Sequence, residues 1–267
     1  MLKIALGIQP LLEDDRSGDL IHIVLALGAV HIALDERIGG GDSRQPLILI
    51  IHRQACFFKL CAEIFDFFRL EACSAIHVTE PTEQKGKWNE LAKGKEIYAE
   101  IGCGKGGFIC ELAARHPDVN FLAVELYANV LVSACETAQK RGLTNIRFLS
   151  GNAEYLARFI PPHSIRRLYL NFSTPFPKKR QATHRLTHPH FLEMYKDLLV
   201  PGASLIQKTD GRVFFQYSLE SLSQCGYTLK EVSLDLHADG IEDNIVTEYE
   251  SRFVAQGLPI YRVEATI

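Results

Sequence analysis

Residues 97–125 read IYAEIGCGKGGFICELAARHPDVNFLAVE. Ile97–Ile101 has the composition of a buried strand. Gly102, Gly104, Gly106 and Gly107 then crowd into a tight turn. Aliphatic residues recur at helical spacing to about His116, and Asn120–Val124 forms a second strand ending on Glu125. This is a βα unit followed by another strand, with glycines where a nucleotide-like ligand must approach the backbone closely. Dinucleotide enzymes and chance turns share the Gly102-x-Gly104-x-x-Gly107 spacing, so the decision falls to two acids. Glu125 lies 21 residues after Gly104, at a strand end, where a carboxylate can accept from both ribose hydroxyls. Glu100 stands inside the first strand, two residues before Gly102. Beside a pyrophosphate it would set negative charge against negative charge. It suits a ligand that carries an amino group and a sulfonium cation, which is S-adenosylmethionine (SAM).

Outward from this stretch, the chain alternates strands and helices. Tyr127–Arg141 is a helix stopped by Gly142, and Asn145–Leu149 is a third strand with Asn152 just past its end. Ile165–Phe172 is the fourth strand, Thr187–Leu199 a helix, Ala203–Thr209 the fifth strand and Gly211–Cys225 a helix. Tyr227–Leu236 and Pro259–Thr266 complete seven strands, the last two read as a hairpin. The expected fold is α/β: a doubly wound, mostly parallel seven-stranded sheet with one antiparallel edge strand and its ligand at the carboxyl ends of the strands.

The chain has 267 residues, 47% hydrophobic and 23% charged, which suffices for one large domain and an appendage. Net charge is −3, so a polyanionic partner must be met by a local basic patch. The seven cysteines, Cys56, Cys61, Cys73, Cys103, Cys110, Cys135 and Cys225, show neither CxxC pairing nor zinc-type spacing, and read as reduced thiols with no metal. The apolar stretches at residues 20–34 and 46–70 are too short or too interrupted by charge to span a bilayer, and no signal sequence precedes them. The expected location is the cytoplasm, without membrane contact. Residues 1–68 carry no chemical constellation; His22, His31 and His52 read as core or surface histidines. Residues 76–91, IHVTEPTEQKGKWNEL, read as a polar lead-in to the first strand.

A second constellation leaves the fourth strand: NFSTPFPKKRQATHRLTHPH, Asn171 to His190. Lys178, Lys179, Arg180 and Arg185 interleave with Phe172 and Phe176, which suits nucleic acid held by its phosphates with a base stacked on a ring. KTDG, Lys208–Gly211, follows the fifth strand, and NIVTEYE, Asn244–Glu250, comes later. Asp210, Thr247 and Glu250 are expected at the same pocket rim, where acids can accept from the amino and ring N–H of guanine. By spacing alone, Thr247 and Glu250 are also a helix-capping pair.

These runs together resemble the bacterial tRNA (guanine-N7-)-methyltransferase family. The resemblance rests on KGKWNEL, EIGCGKGGF, the strand ending in Glu125, LYLNFSTPFPKKR, RLTHPHFL, QKTDG, DLH, NIVTEYESRF and GLPIYR, and covers residues 69–267. It implies a Rossmann-like class I SAM-dependent domain that methylates guanine N7 in the tRNA variable loop to 7-methylguanosine. The sequence leaves monomer or homodimer open. Carried over by position, it implies cofactor contacts from Glu100, Gly102, Gly104, Gly106, Glu125, Asn152 and Thr174. Thr174 and Lys178 take the catalytic positions. Lys178, Lys179, Arg180, Asp210, Thr247, Glu248, Tyr249 and Glu250 are implied on the substrate side.

Three departures stand out. The family reads SDPWPKKRH where this chain has STPFPKKRQ, so Thr174 replaces the usual acid and Phe176 the tryptophan. Asn152 stands where aspartate is common. Residues 1–68 match nothing in the family, which points to a fusion or to a start assigned upstream of the natural one. The expectation is a weakened enzyme; the alternative is a homologue that binds tRNA and SAM with little turnover.

Overall fold

The computed structural model describes residue 59 and residues 61–81, 94–241 and 244–267. The readings made on residues 20–34, on 46–58 and on the KGKWNEL run with Trp88 fall outside these residues. The chain divides into two compact units, Met1–Phe65 and Asp66–Ile267, and everything below concerns the second.

Its frame is a sheet built from β1 (His77–Val78), β2 (Ile97–Ile101), β3 (Asn120–Glu125), β4 (Ile146–Ser150), β5 (Ile165–Asn171), β6 (Leu199–Thr209), β7 (Thr228–Ser233) and β8 (Tyr261–Thr266). The order is β1-β4-β3-β2-β5-β6-β8-β7. Strands β1 to β6 pair in parallel, and β8 pairs antiparallel with both β6 and β7. Helices α1 (Gly107–Arg115), α2 (Ala128–Lys140), α3 (Leu156–Phe159), α4 (Pro189–Leu198), α5 (Arg212–Gln224) and α6 (Glu248–Val254) follow their strands.

Two details differ from the sequence reading. The eighth strand, β1, is a two-residue pairing of His77 and Val78 with Phe148 and Leu149, inside what reads as a polar lead-in. Two residues carry no alternation to detect. The final two strands pair antiparallel as read, but α6 lies between β7 and β8, and β8 slots between β6 and β7. The antiparallel strand is therefore one place in from the edge.

The sheet is covered on both faces, as its alternation requires. Leu122, Val124, Leu168, Leu170 and Leu205 face Phe191, Tyr195 and Phe215 of α4 and α5. Phe121, Ala123, Phe148 and Ile206 belong to the opposite core, with Ile109 of α1 and Leu131 of α2. Cys103, Cys110 and Cys135 are buried there as free thiols, and burial pushes Cys110 up to about 12, so it stays protonated.

Gly106 is where function and packing meet. Its φ of 79° suits glycine, and a Cβ there would sit 2.7 Å from the Ala134 Cβ and 3.1 Å from the Ala134 Cα. Helices α1 and α2 can thus close only over a bare backbone. Gly106→Ala is expected to cost about 3 kcal/mol, from left-handed strain plus overpacking. Gly107→Ala meets nothing within 4 Å and should be nearly neutral. Urea midpoints of the two variants check this.

Candidate active site

The sheet order sets the carboxyl ends of β4, β3, β2, β5 and β6 side by side, and the residues singled out in the sequence fall along that edge. Glu125 is the last residue of β3 and is 8% exposed. Its Oε2 accepts from the Gly104 N–H at 3.0 Å and its Oε1 from the Tyr127 N–H at 3.1 Å. The acid therefore also holds the glycine turn in shape. Gly102, Gly104 and Gly106 all have positive φ, and the N–H groups of Gly102 and Cys103 bond the Val124 carbonyl at 2.8 and 3.1 Å. Beyond β4, Asn152 caps a short 3-10 turn: its Oδ1 accepts from the Glu154 N–H at 3.0 Å.

The centre of the edge holds an incomplete polar pair. Glu100 is 2% exposed and Asn171, at the end of β5, is 7% exposed. The Asn171 Nδ2 donates to Glu100 Oε1 at 2.8 Å, while Glu100 Oε2 and Asn171 Oδ1 are buried with no partner among the described residues. Two orphaned acceptors side by side are costly unless something donates to both. Burial pushes the Glu100 carboxyl up to about 7, against the stabilising Asn171 amide and the nearby Lys208 ammonium. Asn171 was not among the site residues read from sequence; a polar residue closing the run LYLN was its only signal.

After Asn171 the chain forms the basic loop. Phe172 and Phe176 bracket Thr174 with φ of 50° and 41°. Bulky residues there cost of order 1–3 kcal/mol each and persist only where neighbours impose them. The Phe172 N–H bonds the Lys208 carbonyl at 2.8 Å. Arg185 donates through Nε to the Pro175 carbonyl at 2.9 Å and through Nη2 to the Phe176 carbonyl at 2.9 Å. Its guanidinium also lies 4.3 Å from the Tyr217 ring centre. Arg185 thus braces the loop, while Thr174, Lys178, Lys179 and Arg180 stand exposed on it.

On the far side, Asp210 follows β6 half-buried. Thr247 and Glu250 form the capping box of α6: Thr247 Oγ1 accepts from the Glu250 N–H at 2.9 Å, and Glu250 Oε2 from the Thr247 N–H at 3.4 Å. Lys208 Nζ donates to Glu250 Oε2 at 2.8 Å, with both side chains buried. Glu248 and Tyr249 are exposed, and the Tyr249 ring packs 5.0 Å from Phe172 and 5.0 Å from Phe253. The structure thus gathers Glu100, Glu125, Asn152, Thr174 and Asp210 along one edge, but turns Glu250 inward. Burial lowers the Lys208 pKa, opposed by the Glu250 carboxylate, and that ammonium in turn holds Glu250 low. A cavity of about 380 Å³ lies against the sheet face and meets the site through Asn171, Lys208, Asn244 and Ile245. Its walls include none of the carboxylates above, so it is not the cradle itself. Among the described residues no cluster of His, Cys, Asp or Glu is arranged to hold a metal, and no helix is long and apolar enough to cross a membrane.

A doubly wound sheet with a glycine turn at its switch point is the architecture of a nucleotide-type binding domain, and the family comparison says which class. The family described as putative methyltransferase matches residues 94–263. Among solved structures, an antibiotic-related methyltransferase aligns with a TM-score of 0.54 at 18% identity, covering 68% of this chain and 94% of that one. The 16S rRNA methyltransferase KamB aligns with a TM-score of 0.52 at 17% identity, covering 68% and 93%. At such identities the likeness concerns the fold. The sequence comparison goes further. The tRNA (guanine-N(7)-)-methyltransferase of Geobacillus kaustophilus is 47% identical over 189 residues, 70% of this chain and 87% of that protein. The Bacillus subtilis protein of the same name is 43% identical over 190 residues, 71% and 89%. The chain belongs to the tRNA (guanine-N(7)-)-methyltransferase family.

Proposed function

We propose that this chain methylates N7 of a guanine in the tRNA variable loop, with SAM as methyl donor. The observation that carries the reading is the pair of orphaned buried acceptors, Glu100 Oε2 and Asn171 Oδ1, beside the glycine turn. A carboxylate oxygen and an amide oxygen with no donor among the described residues match an ammonium group, and a phosphate there would set negative charge against negative charge. Glu125 is the acid for the ribose hydroxyls, and Asn152 Oδ1 an acceptor for the adenine amino group. When bound, the cofactor supplies an electrophilic methyl group on a sulfonium.

The rest falls to this chain's own residues. Guanine N7 presents an unprotonated lone pair, so no general base is needed. The N7–carbon bond forms as the sulfur–carbon bond breaks, and the purine takes on positive charge. Alignment of the two reacting atoms supplies most of the acceleration, roughly 7–11 kcal/mol in favourable cases. The braced loop carries Lys178, Lys179 and Arg180 toward phosphates, and Asp210 can accept from the guanine edge.

The test is transfer of labelled methyl from SAM to bulk tRNA lacking 7-methylguanine, with the position read by chemical cleavage. Label confined to a variable-loop guanine supports the reading; SAM binding without label at any guanine sinks it. A Lys178→Ala/Lys179→Ala/Arg180→Ala variant is expected to flatten the log–log salt dependence of tRNA binding by about 2, since each released phosphate contact contributes about 0.7–0.9. Its SAM affinity should be unchanged, which calorimetry checks.

A further inference from the structure

We infer that Glu250 is a positioning residue, one that fixes the 244–250 turn through a closed set of bonds with Lys208, Asn244 and His237, and does not itself accept from the guanine. This rests on the proposed methyl transfer and revises which residues meet the base.

The bonding inventory carries it. Glu250 is fully buried. Its Oε2 accepts from Lys208 Nζ at 2.8 Å and from the Thr247 N–H at 3.4 Å. Its Oε1 accepts from Asn244 Nδ2 at 2.7 Å and pairs with His237 Nε2 at 2.8 Å, which must donate because the carboxylate cannot. A carboxylate offers about four lone pairs, and four donors take them. Lys208 is equally spent: its three N–H groups go to Glu250 Oε2, to Asn244 Oδ1 at 3.0 Å and to the Ile245 carbonyl at 2.9 Å. Neither end of this ion pair keeps a free valence for a substrate. What the set does is tie β6, the Asp235–His237 run and the start of α6 into one unit. The exposed product is Tyr249, held against the strained Phe172 at the loop edge. His237 is the member nearest solvent, with its side chain 30% exposed, so it can be changed without opening the core.

The experiment compares Glu250→Gln, His237→Ala and His237→Gln in the full chain. It measures KM for tRNA, kcat, SAM affinity by calorimetry and amide hydrogen exchange over residues 247–254. A positioning role predicts that Glu250→Gln and His237→Ala each raise KM for tRNA roughly tenfold, as loss of a bond to a buried charge does. Exchange over 247–254 should accelerate in both while SAM affinity holds. His237→Gln, whose amide can still donate, should return KM to within about twofold of the parent. The inference fails if Glu250→Gln abolishes transfer with protection intact and His237→Ala is silent, for that is the signature of direct contact. A parallel fall in SAM affinity and melting temperature would also overturn it, in favour of a purely structural role. If the parent chain methylates no guanine, the proposed function fails, while the exchange pattern still reports on the frame.

Discussion

Thr174→Asp raises the rate of methyl transfer to tRNA by about 10²-fold, with SAM affinity within a few-fold of the parent. The expectation follows from what the loop already fixes. Thr174 is exposed between Phe172 and Phe176, whose left-handed backbones are held by the Lys208 carbonyl and by Arg185. Replacing the side chain therefore changes its charge and leaves the path of the chain alone. Nothing has to remove a proton from N7, so the missing acid was never a base. What it can add is a negative charge facing a purine that becomes cationic as the new bond forms. A preorganised group of this kind is typically worth on the order of 10²–10³ in rate. Thr174→Asn separates charge from shape: it keeps a polar side chain of aspartate size and should recover little. Single-turnover rates on unmodified tRNA decide the matter. Equal rates for threonine and aspartate would mean that the position has no electrostatic part in the reaction.

The contrast between Glu100 and Glu250 shows what was legible in the sequence. Glu100, Glu125 and the glycines could be read because the backbone demands them: tight turns need positive φ, and a strand-end acid announces itself by position. The strand–helix alternation was equally plain, and with it the sheet edge along which the strand-end residues gather. Asn171 could not be found this way. Its pairing with Glu100 spans 71 residues and depends on β2 lying beside β5, a matter of register and not of local pattern. The same is true of Glu250. An acid three residues into a capping box is normally a solvated side chain, and only the packing of β6 against α6 reveals the buried Lys208 beneath it. The slot taken by β8 between β6 and β7 is likewise a tertiary outcome, since α6 and a long connection separate the two strands. The residues read from sequence thus fall along one edge of the sheet, and what separates Glu250 from the other carboxylates is its burial against Lys208.

Glu100→Gln is expected to move stability and ligand affinity in opposite directions. In the free protein, burial holds the Glu100 carboxyl at about 7, well above its ordinary value near 4.5. A carboxyl raised in the folded state contributes its full stability below the unfolded pKa. That contribution is lost as pH rises from about 4.5 through about 7. At pH 8 the ionised side chain is therefore a liability, on the order of 3 kcal/mol, and the uncharged glutamine should melt later than the parent. At pH 4 the two should melt together. Ligand binding has the reverse requirement, because an ammonium pairs with the ionised form. Parent affinity for SAM is expected to rise roughly tenfold between pH 5.5 and 7, with release of a proton below pH 7, and then to level off. The glutamine variant should bind about 10²-fold more weakly at pH 7, as loss of a charge-assisted bond predicts, and show no such pH dependence. Calorimetry in two buffers of different ionisation enthalpy measures the proton directly. Parent and variant with the same pH profile would remove Glu100 from the ligand's ammonium. A variant that melts earlier at pH 8 would mean that Lys208 and Asn171 already stabilise the ionised carboxylate in the free protein. The predicted pairing of gain and loss is what a site built around a buried acid should show, since burial disfavours the ionised form that an ammonium requires.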